Sequence, residues 1–127
     1  MNLEIANKAI KAAICESEKY NVKSNIAVVD AGANLVAFAR MDNSPLGTVD
    51  ISIKKAKTAA LFQVSSGHQA YLNLKQNNGV DFKDFIAIRG GVPIFDGKNV
   101  LIGGIGVSGS SVDNDHQVAT VGKDAAK

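Results

Sequence analysis

Gly104-Ile105-Gly106-Val107-Ser108-Gly109 matches the spacing G-x-G-x-x-G. In that pattern a bare backbone lets a pyrophosphate approach the N-terminus of a helix. The immediate context fits, because a strand-like run (Val100 to Val107) precedes the glycines and a helical stretch follows them. The wider context does not. A dinucleotide unit needs a βαβ crossover and an acidic residue about 20 positions further on. Here the sequence runs only to Lys127, with no strand after the last helix, so no NAD is expected. Two compatible readings of the glycines remain. In one, a helix or a second subunit packs closely on Gly103, Gly104 and Gly106. In the other, a flat or anionic ligand approaches the same backbone, with N–H groups at Ser108 to Ser111 favouring an anion at a helix start.

The remaining reactive side chains are scattered. Arg40 and Asp42 flank Met41 at a strand end. They read either as a local ion pair worth less than about 1 kcal/mol if exposed or as a carboxylate clamp supplied by Arg40. Lys54, Lys55 and Lys57 read as a solvated basic face, with Thr58 beside them. His68 follows Ser66-Gly67 at a helix break, and His116 follows Asp115 in the last helix. Neither histidine pairs with Ser108 in a triad-like arrangement. One cysteine, Cys15, and two histidines lack the paired spacing of a zinc site, so no zinc is expected. No nucleophile, acid or base stands out, which favours a binding role over an enzymatic one and leaves any turnover to a bound cofactor.

The elements that position these residues are legible as periodicities. Leu3 to Tyr20 has apolar residues at helical spacing, with Asn2 as N-cap. Asn25 to Asp30 and Leu35 to Met41 read as strands joined by the turn Asp30-Ala31-Gly32-Ala33-Asn34, a hairpin. Thr48 to Val64 reads as a helix with Val49, Ile53, Ala56, Ala60 and Val64 on one stripe, and Gln69 to Gln76 as a further short helix. Phe85 to Ile88, Val92 to Phe95 and Val100 to Val107 supply about three more strands, the last two joined at Asp96-Gly97-Lys98-Asn99. Val112 to Ala126 closes the order as a helix. Hairpin connections imply an antiparallel sheet with helices packed on it, an α+β fold.

Composition narrows the function classes. The 127 residues fit a single domain spanning 1–127. Hydrophobic residues at 46% and charged residues at 20% describe a globular chain. A net charge of +2 argues against a nucleic-acid partner held by phosphate contacts, and aromatics at 6% leave little for base stacking. No apolar run approaches the ~20 residues that span a bilayer, so no membrane partner is expected. Without a basic and apolar leader at Met1 to Glu4, a cytoplasmic location is the default expectation.

Five ordered segments together resemble the GlcG/HbpS family, also called haem-degrading or DUF336, which includes the C-terminal domain of PduO-type proteins. They are Ile26 to Asp30 with Gly32; Arg40-Met41-Asp42; Asp50-Ile51-Ser52 with Lys55-Ala56 and Thr58-Ala59; Gly90-Gly91-Val92-Pro93; and Gly103 to Gly109 followed by Asp115 and Ala119. The resemblance implies a profilin-like α/β/α sandwich, with a five-stranded antiparallel sheet flanked by helices that include the N- and C-terminal ones. It implies homo-oligomers, dimeric or higher, and a haem-binding protein that senses, stores or handles haem. The alternative is a non-catalytic accessory protein binding a small carboxylate or diol metabolite in glycolate, propanediol or glycerol utilisation. Carried over residue by residue, the pocket comprises Arg40, Lys55, Thr58, Gly104, Gly106, Ser108 and Gly109, with Arg40 or Lys55 facing a haem propionate. His68 is the first axial candidate, followed by His116 and Met41. Ser110 and Ala33 stand where many members have glycine.

Overall fold

Helix α1 (Leu3–Lys19) begins where the Asn2 side-chain oxygen accepts the Ile5 N–H at 2.8 Å, which satisfies one of the unpaired donors of the first turn. The computed structural model describes residues 1–68, 72 and 85–127. After α1 come β1 (Asn25–Asp30), β2 (Leu35–Arg40), a short 3-10 turn (Leu46–Thr48), α2 (Val49–Phe62), β3 (Gly91–Phe95), β4 (Leu101–Ser108) and α3 (Val112–Ala125). The expected helix at Gln69 to Gln76 falls outside the described residues, apart from Leu72.

The strands form one antiparallel sheet in the order β2-β1-β4-β3. Among the described residues it has four strands rather than the five expected. The difference lies at Phe85 to Ile88, whose polar groups turn toward helix α2 and the segment that follows it instead of a neighbouring strand. The Ile86 N–H donates to Thr58 Oγ1 at 2.9 Å, and the Ile88 carbonyl accepts from the Ser66 hydroxyl. Phe85 packs edge-on against Phe62, with ring centroids 5.4 Å apart.

Both hairpins are organised by an aspartate. Asp30 Oδ1 accepts the N–H groups of Gly32 and Asn34, each at 2.9 Å. The Asn34 N–H is the main reason its pKa lies below the ordinary carboxylate value. Asp96 Oδ1 accepts from Lys98 N at 2.8 Å and Val100 N at 2.9 Å. These side-chain-to-backbone bonds are what Asp supplies in turns.

Alternation along the strands separates two faces. Ile26 and Val28 of β1, Ile94 of β3, and Ile105 and Val107 of β4 pack against Ala6, Ala9, Ile10 and Ala13 of α1 and Val118 and Ala119 of α3. On the other face Ala27 and Val29 meet Ala56 and Ala60 of α2. The result is an α+β sandwich with two helices on one face and one on the other among the described residues. No described helix is long and apolar enough to cross a membrane.

Candidate functional site

The sheet brings several of the expected residues to one end. Arg40 at the end of β2 sits opposite Asn25, and Asn25 sits opposite Ser108 at the end of β4. The Val107 N–H reaches the Gly90 carbonyl, just ahead of β3, at 2.9 Å.

The space left by Gly104 and Gly106 is filled by α2 of the same chain, whereas Gly103 faces the Val29 carbonyl of β1 and Met1. A Cβ built on Gly104 would lie 2.6 Å from the Ala56 carbonyl oxygen. One on Gly106 would collide with the Ser52 carbonyl and lie 2.5 Å from Ala56 N. Helix and strand thus meet backbone to backbone, so of the two readings of these glycines the close-packing one describes this contact. Gly109 ends the strand with φ +150°, and a Cβ there would strike the Lys23 carbonyl, so the corner depends on glycine both for its conformation and for its space.

Lys55 does not lie on a solvated basic face, as its neighbours in sequence suggested. It is 1% exposed. Helical spacing from Ser52 and Ala59 turns it onto the sheet. Its Nζ donates to the Val107 carbonyl at 2.9 Å and to Asp115 Oδ2 at 3.1 Å. Burial pulls the lysine pKa down, against the opposing pull of Asp115. Burial also raises the Asp115 pKa, against Lys55 and the backbone N–H groups of Ser110 and Gly109. The Ser110 N–H donates to Asp115 Oδ1 at 3.1 Å. The N–H groups expected to hold an external anion are therefore engaged by a carboxylate of the chain itself. Thr58 is likewise internal: its hydroxyl donates to the Lys54 carbonyl at 2.7 Å and accepts the Ile86 N–H.

Outside this sealed seam, a more open group surrounds Arg89. Its guanidinium pairs with Asp113 Oδ1 at 2.5 Å, and both side chains are largely in solvent. A Cβ on Gly67 would lie 3.0 Å from Arg89 N, so the chain just ahead of the exposed His68 packs on the Arg89 backbone. His116 lies on the other flank. Its pKa is depressed, first by burial, then by the positive charge of Arg89, with Lys123 adding to the fall and Asp113 opposing it. Its Nδ1 is buried with no hydrogen-bond partner among the described residues. The imidazole is thus held neutral, the form in which histidine ligates a metal. Of the two expected axial histidines, His116 feels the Arg89 charge, and His68 follows the glycine that packs on the Arg89 backbone.

Arg40 stands apart, in a shallow cleft of about 310 Å³ with Ile14, Glu18, Lys23, Met41 and Asp42. No ion pair joins it to Asp42 among the described residues. The Met41 sulfur accepts the Ser24 N–H at 3.3 Å. Among the described residues no cluster of three or more His, Cys, Asp or Glu could hold a metal ion by itself.

Sequence reasoning gave Asp115 no role and overlooked Arg89. Asp115 sits in the first turn of α3, where an acidic residue suits the helix end. Its lysine partner is 60 positions earlier, and no local pattern signals such a pair. The chemical set is the His116 imidazole near an arginine, beside a corner held by a buried ion pair. It suits binding of an anionic, metal-bearing ligand, and the described residues show no nucleophile paired with a base.

Comparison with known proteins agrees with the motif order. The family model described as haem degrading protein HbpS-like matches residues 1–124. The chain is 36% identical over 110 residues to Protein GlcG of Escherichia coli (strain K12), covering 85% of this chain and 81% of that one. It superposes on the crystal structure of a double mutant of Streptomyces reticuli HbpS with a TM-score of 0.90 at 30% identity, covering 100% of this chain and 87% of that one. A crystal structure of a PduOC:heme complex shares the fold, with a TM-score of 0.86 at 22% identity, covering 98% and 94%.

Proposed function

The chain belongs to the HbpS-like family of haem degrading proteins, and from that premise we propose that it binds haem at the Arg89 corner and handles it as a binding protein. The observation that carries this reading is the neutral His116 imidazole, its Nδ1 without a partner among the described residues, beside the Arg89 guanidinium. Haem offers an iron that accepts an imidazole nitrogen and propionates that pair with a guanidinium. In this chain His116 or His68 would supply the nitrogen. Arg89 would receive a propionate in exchange for Asp113. Lys55 and Asp115 hold the corner in shape from beneath and do not face the ligand. Arg40 would meet a second propionate only across the width of β1 and β4. Assembly into dimers or larger oligomers belongs to the same reading and rests on the family resemblance.

Titration of the purified protein with haemin tests the proposal. A saturable Soret shift at one haemin per chain is expected. His116→Ala or His68→Ala should change that spectrum, and Arg89→Ala should weaken binding without changing its shape. Absorbance identical to free haemin at stoichiometric protein overturns it.

A further inference from the structure

At the opposite end of the β3–β4 hairpin lies a cleft of about 550 Å³, between the start of α1 and the end of α3. That volume is within the roughly 300–1,000 Å³ of small-molecule sites. Its walls are apolar: Met1 and Ile5 from α1 and its approach, Phe95 from β3, Ile102 from β4 and Ala126 beyond α3. A bulge shapes it. Ile94 pairs with Gly103 and Phe95 with Leu101, so Ile102 has no partner across the ladder. Bulges of this kind re-aim a side chain, and Ile102 turns to the α1–α3 face. Phe95 remains 36% exposed, although it stands at the mouth of a hydrophobic wall.

The lip is polar and its charges differ in availability. Asp96 Oδ1 is occupied by the N–H groups of its own turn. Asp124 lies 3.4 Å from Lys123. Lys8 reaches the Lys127 carbonyl at 3.3 Å and is 3.8 Å from Glu4. The Lys127 side chain has no ion pair among the described residues. Lys127 thus places an ammonium with no ion pair among the described residues on the α3 side of an apolar cleft, beside Lys123, whose ammonium is shared with Asp124, and the aspartate across from them is engaged by backbone.

We propose that this cleft binds a free medium-chain carboxylic acid, its tail against Ile5, Phe95 and Ile102 and its carboxylate toward Lys123 and Lys127. The haem reading concerns the other end of the sheet, and Lys123, whose charge also acts on His116, is the residue that adjoins both.

Calorimetric titration of the full chain with decanoate, below its micelle-forming concentration, is expected to give saturable one-to-one binding. Decyltrimethylammonium, with the same tail and the opposite charge, should bind at least tenfold more weakly. The double variant Lys123→Glu/Lys127→Glu should weaken decanoate at least tenfold while leaving the melting temperature unchanged. Ile102→Trp should abolish binding by filling the cleft, and the surface double variant keeps the test intact if that substitution fails to fold. Equal affinity for both amphiphiles, equal affinity of the charge variant, or no saturable heat overturns the proposal. The haemin titration is repeated on the single variant Lys127→Glu, which leaves Lys123 and its influence on His116 in place. An unchanged Soret spectrum is expected, and joint loss of haemin and decanoate would reassign the cleft to the porphyrin and overturn the proposal.

Discussion

The Lys55 ammonium and the Asp115 carboxylate lie 3.1 Å apart, on side chains 2% and 3% exposed, and tie α2 to α3 through the end of β4. Removing one member of such a pair leaves an uncompensated buried charge, which costs about 3–5 kcal/mol, whereas replacing both with apolar groups is often far less harmful. Lys55→Met and Asp115→Ala should each destabilise by that order in urea unfolding. The double variant should cost clearly less than the sum. Additive effects would show that the two groups act separately.

The seam between α2 and β4 makes a sharper prediction at the glycines. Gly106→Ala drives a methyl into the Ser52 carbonyl and Ala56 N, and Gly104→Ala into the Ala56 carbonyl. Backbone cannot swing aside as a side chain does, so a cost of about 1–3 kcal/mol or more is expected. Gly47→Ala and Gly97→Ala meet open space and should stay within about 0.5 kcal/mol of the parent. Urea midpoints for the four variants check this.

What the sequence made legible was local. The Asn2 cap and the two aspartate-centred turns are written in residues a few positions apart, and they set α1 and both hairpins within a residue or two. The glycine corner was legible as a place of close approach, but the sequence left open whether a helix, a second subunit or a ligand makes it, and the family motifs assigned it to the pocket. Lys55 was not legible, because three lysines in four positions look like one face until the sheet selects one of them. The fifth strand was misread for a similar reason: Phe85 to Ile88 is apolar enough for a strand, but its hydrogen bonds go to side chains of Thr58 and Ser66, more than 20 residues earlier.

Thr58 therefore has a measurable role as an anchor. Thr58→Val keeps the shape and removes the acceptor of the Ile86 N–H. A buried donor left without a partner costs about 1–3 kcal/mol. Amide exchange at Ile86 should accelerate, with α1 amides unaffected at matched global stability. Unchanged protection at Ile86 would show that water or another group takes over the bond.

His116 gives the chain an acid-sensitive contact. Its folded pKa lies below the ordinary 6.5 because burial, and then Arg89, penalise the imidazolium. The unfolded chain therefore binds more protons in the window between the depressed value and 6.5, and stability rises with pH across it. The contribution is fully present above 6.5 and is lost as pH falls through the folded value. His116→Gln removes the titrating group, so its urea midpoint should fall less than the parent's between pH 7.5 and 5. Asp113→Asn removes the neighbouring charge that raises this pKa, and should make the total decline larger than the parent's by widening the window. Parallel curves for parent and His116→Gln would show that the imidazole is solvated in the folded state.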